Sequence, residues 1–94
     1  MNIFKFFKVI RKGDMYACVA GDYVGHMFMY FDKNDKEYAF LKIPTMENFN
    51  IPKIAFDSGL KNGILEFVDR PPKHVRNICK AQFQANGKEL RTSE

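Results

Sequence analysis

Cys18, His26, His74 and Cys79 are the residues whose types could hold a metal ion. Two thiols and two imidazoles make the donor set of a tetrahedral zinc site. The spacing argues against one. His74 and Cys79 stand five positions apart, which turns them about 140° from each other on a helix. Both cysteines sit among apolar residues and read as buried small hydrophobes of a reducing compartment. No metal or other cofactor is expected.

A catalytic reading needs a nucleophile with its base, paired acids or a metal cluster. The acids Asp57, Glu66 and Asp69 show no such pairing. Asp32, Asn34 and Asp35 crowd one turn without the glycine and final glutamate of a calcium loop. The segment from Gly59 to Gly63 lacks the lysine-serine ending of a phosphate loop. The chain is therefore expected not to be an enzyme.

The remaining chemistry is cationic. Lys73, Arg76, Asn77, Lys80 and Gln84 fall on one side of a helical pattern, opposite Val75, Ile78, Cys79, Gln82 and Phe83. Three cations without an acid suit phosphates or an acidic partner, and equally suit an ordinary solvated helix face. His74 sits at the edge of that stripe and reads as solvated. Arg11 and Lys12 add a basic turn near the start of the chain.

Composition agrees without deciding. Fifteen Lys and Arg against eleven Asp and Glu give a net charge of +4 over 94 residues. That excess favours anionic partners but is modest for a duplex binder. Ten phenylalanines and no tryptophan make the chain aromatic-rich. MNIFKFFKVIRKG is too short and too interrupted by lysine for a signal peptide, and no run is long enough to span a bilayer.

The element that must present the cations is a helix from Pro71 to Gly87. Pro-Pro suits its entrance, Asp69 can accept bonds from its first amides, and Asn86-Gly87 suits its exit. Ahead of it, strands are expected at Asn2–Ile10, Met15–Ala20, Tyr23–Phe31 and Lys36–Ile43, joined by short turns. Thr45–Asn50 reads as a loop. From Pro52 to Val68 a helix is preferred, with Pro52 at its first position. The rival is a short helix, a turn at Lys61-Asn62-Gly63 and a strand ILEFV. Gly59 and Gly63 weaken the helical reading. The expected fold class is α+β: a four-stranded antiparallel β-meander followed by two C-terminal helices packed on one face. One domain covers 1–87, and 88–94 form a flexible polar tail.

In the third expected strand, His26, Phe28 and Tyr30 share one face, and Met27, Met29 and Phe31 the other. Both are apolar or aromatic, whereas a sheet covered by helices on one side should be polar on the other. The preferred explanation is core plus contact with a second subunit, hence a homodimer. The alternative is that these aromatics stack on bases, as in sheet-type RNA readers.

The closing pattern GLKNGILEFVDRPPKHVRNICKAQF, in a short chain rich in Lys, Asn, Phe and Ile, resembles the small early accessory and counter-defence proteins of T-even-type bacteriophages. The resemblance covers about the last third of the chain and maps no family site onto particular residues. It implies a protein of the host cytoplasm that binds and redirects host machinery, such as an RNase toxin of a defence system. The leading expectation is a non-enzymatic binder of a host nucleic-acid-handling protein, with RNA in the complex through Lys73, Arg76, Asn77, Lys80, Arg11 and Lys12. The alternatives are an oligomeric sponge that stacks a nucleotide on Phe28 and Tyr30 near His26, and a structural homo-oligomer.

Overall fold

The computed structural model describes residues 10–92. The element order is β1 (Met15–Cys18), β2 (Met27–Lys33), β3 (Glu37–Ile43), β4 (Glu47–Pro52), α1 (Lys53–Lys61), β5 (Leu65–Asp69) and α2 (Lys73–Thr92). The strands form one antiparallel sheet in the order β4-β3-β2-β1-β5. The fold is α+β, with a meander of four strands completed by a fifth at the β1 edge. The strand expected at 2–10 lies outside the described residues except for Ile10, which packs against the core.

Each sheet face carries one helix. Phe56 of α1 joins Tyr16, Cys18, Phe28, Tyr30, Phe40 and Leu65 in one buried cluster. Its ring centroid lies 5.0 Å from that of Tyr16 and 5.4 Å from that of Phe40. Cys79 of α2 joins Met29, Phe31 and Leu41 in the other cluster, with Val75 and Phe83 packed against it. The helices thus lie on opposite faces and not on one. This explains why alternate residues of β2 are apolar on both sides: each set meets a helix, and a second subunit is not needed to cover either.

Local chemistry moves several boundaries. Gly21 and Gly25 both take positive φ, 89° and 90°, so Tyr23–Gly25 belong to a turn and β2 begins only at Met27. The segment expected as a loop at 45–50 is largely β4. Met46 turns the chain at φ 62°, its amide donating to the Lys42 carbonyl at 2.7 Å.

The preferred long helix over 52–68 is overturned in favour of its rival. Pro52 precedes α1 rather than starting it. Gly63, at φ 75°, makes the turn into β5. Gly59 lets α1 approach β5, since a Cβ there would stand 2.9 Å from Leu65 Cδ1.

Helix α2 runs through Asn86-Gly87 to Thr92, so the expected exit at Gly87 is not used. Asn86 instead ties the helix to the sheet. Its Nδ2 donates to Asn48 Oδ1 at 2.9 Å and to the Met46 carbonyl at 3.0 Å. Asn48 Nδ2 in turn donates to the Phe83 carbonyl at 3.0 Å. Ile78, expected in the core, is 66% exposed. Among the described residues no helix is long and apolar enough to cross a membrane.

Candidate functional site

The turn from Arg11 to Asp14 is built around a buried carboxylate. Gly13 takes φ 96°, and the Asp14 amide donates to the Arg11 carbonyl at 2.9 Å. The turn is clipped onto β2: Gly13 N–H donates to the Tyr30 carbonyl at 2.7 Å, and Tyr30 N–H to the Asp14 carbonyl at 2.9 Å. Asp14 is only 3% exposed. A buried carboxylate needs donors; two N–H groups hydrogen-bond it, and a third cationic nitrogen stands at ion-pair distance. Arg11 N–H reaches Oδ2 at 3.0 Å, Arg70 Nη1 reaches Oδ1 at 3.0 Å, and Arg11 Nε stands 3.9 Å from Oδ1. Arg70 Nη1 also donates to the Lys12 carbonyl at 2.9 Å. Asp14 therefore holds the basic turn against the end of β5.

Helix α2 joins the same corner through Arg76. A Cβ on Gly13 would collide with Arg76 Cδ, so the arginine stem lies directly across the glycine. Its Nη1 donates to the Pro71 carbonyl at 2.6 Å. The expected stripe is corrected here: Arg76 is half-buried, on the flank that leads to Cys79 and Phe83, while Lys73, Asn77 and Lys80 are exposed. Arg11 and Lys12 are exposed on the turn. The structure thus brings the two basic segments together, with Arg76 as the brace between them. Arg11, Lys12, Arg70, Lys73 and Arg76 gather where Asp14 and Asp69 are the neighbouring acids, and Asp69 Oδ1 already accepts from the Arg70 amide at 2.7 Å.

The expected stacking residues fail. Phe28 is 2% exposed and Tyr30 is 4% exposed. Both sit in the cluster beneath α1, where no base can reach a ring face. His26 is half-buried, its Nδ1 3.3 Å from the Tyr23 carbonyl. Burial first, and then the Asp14 carboxylate, push the Tyr16 phenol up from 10.0 to about 12. Burial likewise pushes the Cys79 thiol up.

Nothing else described assembles a reactive site. Cys18 and Cys79 are both reduced and belong to clusters on opposite faces of the sheet. Among the described residues no group of three His, Cys, Asp or Glu is placed to hold a metal ion. An open depression of about 660 Å³ lies beside Asn34, Asp35, Lys36, Glu37 and Pro52. The Asn34 carboxamide oxygen there already accepts from the Lys36 and Glu37 amides, at 2.9 and 2.8 Å.

Sequence reasoning missed Asp14 and Arg70 as members of the corner. The one available signal was the position of Asp14 at the end of a glycine turn, where a side chain readily accepts local amides. No family model, curated protein or solved structure matches the chain.

Proposed function

We propose that this protein is a non-enzymatic binder that holds RNA on its basic corner and thereby inhibits or redirects a host nucleic-acid-handling protein. The observation that carries the reading is the packing of Arg76 across Gly13. It sets the exposed Arg11–Lys12 turn beside the start of α2, with Lys73, Asn77 and Lys80 continuing the cationic surface along the helix. Cations held on a rigid turn and a helix suit a phosphate backbone, which is bound through charge and shape. The likeness to phage accessory proteins supports a host target and the host cytoplasm.

The test is recovery of partners from host lysate by tagged protein, with and without RNase and at two salt concentrations. The reading expects a protein partner whose recovery falls with RNase or higher salt, and is lost when Lys12 and Lys73 are changed to Glu. Recovery indifferent to RNase, salt and those two substitutions would refute the basic-corner mechanism.

One observation favours a second reading, a homodimer. Among the described residues β5 is the last strand of the sheet on that side, and Ile64 and Val68 beside it are exposed. Exposed apolar residues grouped in this way suit contact with a second copy of the chain. Thermal stability that rises with protein concentration would support the homodimer; concentration-independent stability would remove it.

A further inference from the structure

Asparagine is followed by glycine at Asn62-Gly63 and again at Asn86-Gly87. This dipeptide has a chemistry of its own that needs no assembled site. The glycine amide nitrogen attacks the asparagine Cγ, and an N–Cγ bond forms. The Cγ–Nδ2 bond breaks, and Nδ2 leaves as ammonia together with the amide proton. Water then opens the cyclic imide. Cleavage of the N–Cγ bond leaves aspartate. Cleavage at the backbone carbonyl leaves isoaspartate, whose main chain runs through the side chain. Glycine favours the attack because it has no Cβ to hinder it.

The fold treats the two pairs differently. Asn62 and Gly63 are both exposed, in the turn between α1 and β5. The Gly63 amide reaches the Leu60 carbonyl at 3.4 Å, a long bond that gives up little when it opens. The Asn62 carboxamide donates to Ser58 Oγ at 3.2 Å on the surface. Asn62 has ψ 3°, and ring closure needs that angle to swing widely. A Cβ on Gly63 would meet nothing within 4 Å, so the turn has open space for the swing.

Asn86-Gly87 lies inside α2. There the same swing would break helical hydrogen bonds on both sides. The Asn86 carboxamide is also held at both ends. Its Nδ2 donates to Asn48 Oδ1 and the Met46 carbonyl, and its Oδ1 accepts from Gln82 Nε2 at 2.7 Å. The group that must rotate and depart is tied to the sheet.

We propose that Asn62 is a site of spontaneous deamidation and that Asn86 is protected from it. The site is independent of the basic corner. Its place in the fold gives conversion a consequence. Aspartate at this position puts an anion beside the C-terminus of α1, where the helix carbonyls disfavour it. Isoaspartate adds a methylene to the main chain of the turn that seats Gly59 against Leu65. Both products loosen the join between α1 and β5.

The test is peptide mapping by mass spectrometry after incubation of the full chain in mildly alkaline buffer, folded and in concentrated urea. In the folded chain Asn62 is expected to convert at least about tenfold faster than Asn86, a difference that urea removes. The thermal midpoint of the folded protein should fall as the converted fraction rises. Asn62→Gln should abolish the conversion and hold the midpoint steady. Equal conversion of the two sites in the folded chain, or none at Asn62, overturns the site. A midpoint that does not move with conversion, or that still falls in Asn62→Gln, overturns the loosening of the turn.

Discussion

Arg76 crosses Gly13 so closely that a side chain on the glycine would collide with the arginine Cδ. This contact joins the first described turn of the chain to its last helix. It also fixes a position where φ is 96°, a conformation that costs other residues energy.

Gly13→Ala should therefore destabilise the fold by about 1–3 kcal/mol, from backbone strain and the displaced arginine together. Urea denaturation measures it. The same variant should bind RNA more weakly, because the brace between the two basic segments is lost. A stability within error of wild type would show that the contact is slack.

Asp14→Ala removes the shared acceptor of Arg11 and Arg70. The Arg70 side chain is 32% exposed, so solvent offsets part of the loss. A cost of about 2 kcal/mol is expected. Asp14→Asn keeps an acceptor for the Arg11 amide and should cost less. If the two variants melt together, a neutral acceptor contributes little and the carboxylate charge carries the interaction with Arg70.

How much of this was legible follows from particular residues. Helix α2 was readable because Pro71-Pro72 and an apolar stripe are local signals. Strand β5 is hidden because Phe56, Leu60, Gly63, Ile64 and Phe67 fall at helical intervals and favour one continuous helix; the roles of Gly59 and Gly63, close approach to Leu65 and a positive-φ turn, depend on packing. Strand β4 was missed because Asn48 looks like a loop residue until Asn86 and the Phe83 carbonyl are seen to satisfy it. Phe28 and Tyr30 looked exposable because a two-sided apolar strand does not reveal how many helices cover it. Arg70 was not placed in the site because its partner Asp14 is distant in sequence.

Alkaline pH should weaken the fold in a defined window. Tyr16 is pushed up to about 12 by burial and by Asp14, and burial also raises Tyr30 and Tyr38. Below the ordinary phenol value, 10.0, these groups are neutral in both states and their contribution is fully present. Above it the unfolded chain loses protons that the folded chain keeps, so stability falls. The fall is up to about 1.4 kcal/mol per pH unit for each tyrosine, and ends for Tyr16 as pH passes its folded value. Denaturation midpoints followed from neutral pH upward give the slope, and Tyr16→Phe should flatten it. A flat profile across that window would contradict the burial assigned to these phenols.

Gly59→Val tests the packing of α1 against β5. A Cβ alone would meet Leu65 Cδ1 at 2.9 Å, and the branched methyls add to the clash. A loss of about 2 kcal/mol is expected. Combining it with Leu65→Ala should recover part of that loss, since the smaller side chain makes room. Strictly additive losses would mean that the two residues are not in contact.

The most direct measurement on the central claim is the salt dependence of RNA binding for wild type, Lys12→Glu, Lys73→Glu and the double variant. If the corner is one phosphate-binding surface, each single change should weaken binding and lower the slope of log K against log salt by about one. The double variant should lower it further. Unchanged affinity and slope in all three variants would contradict the account, because the two basic segments that Arg76 and Gly13 bring together would then contribute nothing to binding.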